Sequence, residues 1–105
     1  MVDAQLLNHI TQTIAERFRP RRILLFGSRA RGDARSDSDV DLFVEMETEK
    51  RPPERFAEIT SVFGLRPWSL DVVVYTPEEV ARLRGVNGTL LGLIEAEGKL
   101  LYERR

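Results

Sequence analysis

The sequence predicts an α+β fold with an α/β-like, two-layer arrangement, in which helices pack on a small mixed β-sheet. Strand-like segments alternate with segments whose apolar residues recur at helical spacing, which is typical of such a sheet. The continuous apolar run "RRILLF" at 21–26 indicates a strand buried on both faces. Thr76, Pro77 and Glu79 form the signature of a capping box, which predicts a helix directly after a strand.

Local signals give the elements of the first half in order. Asp3 caps a first helix, which Pro20 ends. The strand at 21–26 ends at Gly27, residues 28–32 form a short helix or turn, and "DVDLFVEM" at 39–46 is the second strand. The apolar residues that define the first helix are Leu6, Leu7, Ile10, Ile14 and Phe18.

The second half continues the alternation. A helix over 52–64 has proline in its first turn and ends at Gly64, with Phe56, Ile59 and Phe63 on one face. "SLDVVVY" at 69–75 is the third strand, and the helix that follows runs to about Arg84. A last helix contains Leu90, Leu91 and Ile94 and ends at Gly98, after which "KLLYE" returns as an edge strand.

The composition narrows the class of protein. With 105 residues, 42% apolar and 31% charged, we expect one folded domain over 1–105. The net charge of -1 predicts no direct nucleic-acid binding, and the lack of cysteine excludes disulfides and thiolate chemistry. The N-terminus is amphipathic rather than a signal peptide, and no apolar run approaches the ~20 residues of a membrane span, so we expect a cytoplasmic protein.

Three aspartates lie in predicted strands, where aspartate is depleted. Side chains two residues apart share a strand face, about 6.5 Å apart for a rise of ~3.3 Å per residue, so Asp39 and Asp41 point to the same side. Asp71 repeats the anomaly, and a single intervening helix favours neighbouring strands. Such a carboxylate cluster suits Mg²⁺ and transfer at phosphorus. The alternatives are a solvent-facing strand side for the first two and a buried, hydrogen-bonded carboxylate for Asp71.

Gly27 and Ser28 stand where a strand turns into a helix. Glycine allows a ligand to approach the backbone closely, and the following amides and the Ser28 hydroxyl can donate to phosphate oxygens. Taken alone, Gly27-Ser28 is more often a simple turn that ends a strand. Arg29 and Arg31 either neutralise phosphates or are solvated surface charges.

The two features together resemble a known signature. "GSRARG" at 27–32, five further residues and "SDVDL" at 38–42 resemble the motif of the DNA-polymerase-beta-like nucleotidyltransferase superfamily. Since the chain is short and no second domain is evident, it looks most similar to the minimal nucleotidyltransferase branch, of antitoxin type.

The resemblance implies a function and a site. It implies that Gly27 and Ser28, with Arg31, hold the triphosphate of ATP or another NTP. It also implies that Asp39 and Asp41 bind two Mg²⁺ ions, and that Asp71 binds one of them and acts as the base. The expected partner is a small helical toxin of the HEPN type, which receives AMP on a tyrosine.

Two rival functions remain. The chain is either a binding module that masks its toxin without catalysis, or a small-molecule nucleotidyltransferase of the antibiotic-modifying kind. The second rival normally requires another domain to hold its acceptor.

Other polar and aromatic residues receive simpler interpretations. Asp33, Asp37 and Glu45 are expected to be loop or rim charges, although Glu45 shares the catalytic face by strand parity. His9 is expected to be partly exposed, and Trp68 to pack at the start of the third strand.

Overall fold

A four-stranded mixed sheet forms the centre of the computed structural model, which describes residues 3–35 and 38–104. β2 and β3 are parallel, and β1 pairs antiparallel with both β2 and β4. The predicted mixed sheet is therefore confirmed, and so is the last segment as an edge strand. The strands are β1 (Arg22–Phe26), β2 (Val40–Glu45), β3 (Leu70–Tyr75) and β4 (Lys99–Glu103), in the order β3-β2-β1-β4.

The helices begin and end close to where the sequence places them, except that α3 ends at Ser61 rather than at Gly64. None of the helices in the described part of the chain has the length and apolar character needed to cross a bilayer. The helices are α1 (Ala4–Phe18), α2 (Ser28–Arg31), α3 (Pro52–Ser61), α4 (Pro77–Leu83) and α5 (Leu90–Glu97).

Side-chain caps fix two of the helix starts as predicted. The Asp3 carboxylate accepts a hydrogen bond of 2.8 Å from the Leu6 N–H at the start of α1. At α4, the Glu79 N–H donates to the Thr76 hydroxyl at 3.1 Å, and the Thr76 N–H donates to the Glu79 carboxylate at 2.8 Å. These reciprocal bonds satisfy N–H groups that have no acceptor inside the helix.

Each face of the sheet carries its own hydrophobic cluster. On one face, Ile23 and Leu25 of β1 belong to the larger cluster, which includes residues of α1 and α3. On the other face, Leu24 of β1 and Phe43 of β2 belong to a smaller cluster with residues of α4 and α5. β1 is therefore buried on both faces, as its continuous apolar run predicts.

The buried face of α3 differs from its apolar pattern. The pattern groups Phe56 with Ile59 and Phe63 on one face, but Phe56 is 41% exposed, whereas Arg55 is only 7% exposed. The Arg55 guanidinium donates to the Val74 carbonyl at 3.1 Å and to the Glu79 carboxylate at 2.8 Å. Because β3 is an edge strand, its outward carbonyl needs a donor from outside the sheet, and this need buries the arginine.

Candidate active site

Three strand ends meet at one end of the sheet. β1 ends there at Phe26, and β2 and β3 both begin there because they are parallel. Asp41 pairs in register with Asp71 on one side and with Phe26 on the other. The predicted adjacency of the two aspartate-bearing strands is therefore confirmed. Residues in register share a face, so both carboxylates lie on the side of the sheet that α4 and α5 cover.

The three aspartates differ in exposure. Asp39 lies just before β2 and is exposed, Asp41 is partly buried, and Asp71 is exposed. A buried, hydrogen-bonded role for Asp71, left open by the sequence, is thereby excluded. The cluster presents two accessible carboxylates beside one that the protein partly encloses.

Burial and neighbouring charge both act on Asp41. They raise the pKa of its carboxyl from 3.8 to about 6; burial is the largest cause, followed by the negative charges of Asp71 and Asp39. The positive charges of Arg31 and Arg29 oppose the increase. The nearby arginines therefore do not fully neutralise the negative charge around Asp41. A bound cation would neutralise it and favour the charged carboxylate.

Gly27 brings the backbone against the Asp41 carboxylate. Its φ of +76° lies in the region that side chains disfavour, and a Cβ at this position would overlap an Asp41 carboxylate oxygen. No residue other than glycine allows this turn and this approach together. The group that this glycine brings close to the backbone is the Asp41 side chain, and the approach of a ligand at Gly27 stays a prediction.

Ser28 is the first residue of α2, directly after that glycine. The Gly27 carbonyl accepts from the N–H groups of Ala30 and Arg31, both at 3.1 Å, so the short helix is anchored on the glycine. N–H groups in a first helical turn have no acceptor within the helix. The Ser28 N–H therefore belongs to the residue that follows the close contact of Gly27 with Asp41, and it is suited to donate to a bound anion.

Ser38 and Arg29 hold the segment that leads to Asp39. The Ser38 hydroxyl accepts from the Arg35 N–H at 2.8 Å, and the Ser38 carbonyl accepts from the Arg29 guanidinium at 2.7 Å. These two bonds close the loop between α2 and β2. Arg29 therefore positions the chain before Asp39, in addition to the positive charge that it contributes near Asp41.

Arg31 does not point freely to solvent. Its Nη1 lies 3.3 Å from Oε1 of Glu97, and its Nε lies 3.4 Å from Oδ2 of Asp33. The same Glu97 oxygen also accepts from the Gly27 N–H at 3.3 Å. Glu97 thus belongs to the site, and sequence reasoning missed it.

The donor set fits a divalent cation in its chemistry. Carboxylate oxygens are preferred ligands of Mg²⁺, and Asp41 already lies near two further carboxylates. Within residues 3–35 and 38–104, however, no three acidic or histidine side chains meet as they stand in a group that could hold a metal. Because Asp39 and Asp71 are exposed, their side chains can turn toward a shared ion without disturbing the core.

Residues 7–104 match the family described as the nucleotidyltransferase domain. The chain belongs to this family. The match includes all six residues that the sequence places in the site, from Gly27 to Asp71, together with Glu97. No match to this chain was found among curated proteins.

Solved structures share the fold of this nucleotidyltransferase domain. A candidate nucleotidyltransferase from Sulfolobus solfataricus is 24% identical, with a TM-score of 0.63, and the match covers 95% of this chain and 79% of that chain. A toxin–antitoxin structure with AMP-PNP is 20% identical, with a TM-score of 0.60, covering 93% of this chain and 74% of that chain. At these identities the likeness concerns the fold.

The structure corrects the prediction for Glu45. It was expected as a rim charge on the catalytic face, but it is 6% exposed and lies at the opposite end of β2 from Asp41. Its Oε1 accepts from Nε of Arg22 at 2.6 Å, and Arg22 also reaches Glu95 at 2.8 Å. The ion pair with Arg22 explains why a carboxylate is buried at this end of a central strand.

The remaining predicted residues lie at the margins. Asp33 is exposed beside Arg31, as expected, whereas Asp37 lies outside the described residues. His9 is exposed on α1. Trp68 packs edge-on against Phe63, with ring centroids 5.8 Å apart, as its packing role predicts.

Proposed function

We propose that this domain transfers a nucleoside monophosphate, AMP in particular, from a magnesium-bound NTP to an acceptor hydroxyl and releases pyrophosphate. The observation that carries the proposal is the in-register pairing of Asp41 with Asp71 beside Gly27. This pairing places two carboxylates beside a turn whose N–H groups are suited to bind an anion. Membership of the nucleotidyltransferase domain family supports the same chemistry.

Each residue has a role in this reaction. The carboxylates of Asp39 and Asp41 would hold two Mg²⁺ ions, and Asp71 would contribute to binding one of them. The ions, when bound, neutralise charge at the α-phosphate and lower the pKa of the acceptor hydroxyl. Asp71 takes the proton of that hydroxyl as the new O–Pα bond forms and the bond from Pα to the pyrophosphate oxygen breaks.

Three further residues bind the triphosphate. The Gly27 and Ser28 amides and the Ser28 hydroxyl donate to phosphate oxygens at the start of α2. The Arg31 guanidinium lies near Asp41, where its positive charge already acts on the pKa of that carboxyl. It therefore offsets phosphate charge at the same place.

The acceptor is proposed to be a tyrosine on a partner protein, a small helical toxin of the HEPN type, which this domain inactivates as its antitoxin. Two observations support a macromolecular acceptor. Asp71, the proposed base, is exposed at the start of an edge strand, where a protein surface has access to it. The fold is also that of a solved toxin–antitoxin structure with AMP-PNP.

Label transfer tests the reaction itself. The domain is incubated with Mg²⁺, an extract of its own cells as the source of acceptor, and ATP labelled at either the α- or the γ-phosphate. We expect the α-label alone to become attached to protein, and the Asp39→Asn variant to lose the transfer. Attachment of the γ-label would show a kinase instead, and undiminished transfer by Asp39→Asn would refute the metal assignment.

A masking function is the second candidate, and one observation favours it. Val86, Leu90 and Leu93 are 51%, 45% and 55% exposed and line one groove at the start of α5. Clustered apolar exposure of this kind is typical of a protein-binding surface.

Two variants separate masking from catalysis in cells that express the toxin. If Asp71→Asn still protects the cells and Leu93→Glu does not, masking is sufficient. If Asp71→Asn fails to protect while the complex persists, catalysis is required. Leu65→Glu, which changes a fully exposed leucine on the loop before β3, serves as the matched control for the added charge.

A further inference from the structure

We propose that Glu97 is the residue that limits nucleotide affinity at this site, because its carboxylate occupies the donors that the triphosphate requires. The inference rests on the proposed function and adds that Glu97 competes with the nucleotide for the same donors. A single oxygen, Oε1 of Glu97, accepts from the Gly27 N–H and lies against Nη1 of Arg31, both at 3.3 Å. These are two of the groups assigned to the triphosphate.

The core fixes Glu97 at this position. Leu91 and Ile94 of the same helix are fully buried, so α5 cannot slide along the sheet. Gly98 follows directly, and a Cβ there would collide with the Ile94 carbonyl and lie 3.4 Å from the Leu25 carbonyl. The missing side chain thus allows the end of α5 to lie on β1, which brings Glu97 to the end of the strand where Gly27 stands.

The charge of Glu97 is unfavourable for its own helix. It is the last residue of α5, whose final turn contains no basic residue. Negative side chains are disfavoured at helix C-termini because the helix dipole is negative there. Arg31 and the Gly27 N–H offset this cost in the absence of nucleotide, so the interaction stabilises the empty site.

A triphosphate oxygen and the Glu97 carboxylate cannot both accept from the Gly27 N–H, which has a single hydrogen to donate. Both are anions, so they also compete for the positive charge of Arg31 beside it. At 3.3 Å the two contacts exceed the usual length of 2.7–3.2 Å for such bonds. They are therefore weak enough to break when the nucleotide enters, and the side chain then turns toward solvent.

Removing the charge should strengthen nucleotide binding. Glu97→Gln keeps the size of the side chain and removes one negative charge. For two unit charges about 4 Å apart in a solvated site, the repulsion that is removed corresponds to about a fivefold lower dissociation constant. Glu97→Ala removes the competitor altogether and should bind ATP at least as tightly. Glu49→Gln, which neutralises an exposed loop residue, should leave the affinity unchanged.

The experiment is calorimetric titration of magnesium-ATP into the wild type and the three variants, with Tm measured to confirm folding. In the transfer assay, the KM for ATP should fall for Glu97→Gln and stay at the wild-type value for Glu49→Gln. Weaker ATP binding by Glu97→Gln or Glu97→Ala, or binding equal to that of the wild type, overturns the inference but leaves the proposed function standing. Absence of ATP binding by all four proteins overturns both.

Discussion

Replacing Asp41 by asparagine is expected to stabilise the fold at alkaline pH while it destroys the proposed metal site. Burial and the charges of Asp71 and Asp39 raise the pKa of the Asp41 carboxyl to about 6. In the unfolded chain the same group has its ordinary pKa of 3.8. Holding Asp41 charged above pH 6 therefore costs free energy in the folded state only, and the amide of asparagine avoids this cost.

The magnitude follows from the shift. A difference of about two pKa units corresponds to about 3 kcal/mol for a fully buried group. Asp41 is only partly buried, and solvent screening reduces the expected gain to about 1 kcal/mol. For a domain of this size, that gain raises Tm by about 4–6 °C.

The pH dependence has a definite sign. The folded protein binds a proton at Asp41 more readily than the unfolded chain, so the wild type loses stability as the pH rises from about 4 to above 6. The advantage of Asp41→Asn should therefore be full at pH 8 and absent at pH 3.5.

The assay is thermal unfolding by circular dichroism at both pH values, in EDTA, with Glu47→Gln as an exposed charge control. A lower Tm for Asp41→Asn at pH 8 would refute the reasoning. An equal gain at pH 3.5 would do so as well.

The remaining predictions concern the turn and two buried charges. Gly27→Ala should cost about 2 kcal/mol or more in urea unfolding and abolish ATP binding, because a methyl group at positive φ overlaps the neighbouring carboxylate. Gly85→Ala has a similar φ but open space around it, so it should cost only about 1 kcal/mol and leave ATP binding unchanged. Glu45→Gln breaks a partly buried ion pair far from the site and should lose about 2 kcal/mol with normal ATP affinity in calorimetry. Arg55→Ala should lose about 3 kcal/mol, since it removes the ion pair with Glu79 and leaves an edge carbonyl without its donor; a loss below ~1 kcal/mol in urea unfolding would contradict this.

Strand periodicity and strand order predict the carboxylate pair at the centre of the candidate site. The spacing of Asp39 and Asp41 predicts a shared face, although Asp39 lies just before β2, and the single helix between two strands predicts Asp71 as a neighbour of Asp41, which the in-register pairing confirms. Both inferences use short-range rules that hold whatever the rest of the chain does.

The interactions that sequence reasoning missed depend on long-range register. Glu97 reaches Gly27 only because β4 returns along β1, a pairing that no local pattern encodes. Glu45 is buried because antiparallel pairing places it opposite Arg22. Arg55 replaces Phe56 on the buried face of α3 because the edge strand needs a donor, which hydrophobic periodicity cannot reveal.

Magnesium-dependent nucleotide binding is the measurement that tests the proposed site most directly, because it requires no acceptor. A non-hydrolysable ATP analogue is titrated calorimetrically into the wild type, Asp39→Asn and Asp41→Asn, each with Mg²⁺ and with EDTA. The proposed site predicts binding by the wild type that needs Mg²⁺ and is lost in both variants. Binding of equal strength in EDTA, or by either variant, would contradict the assignment of these carboxylates to a metal-bound triphosphate.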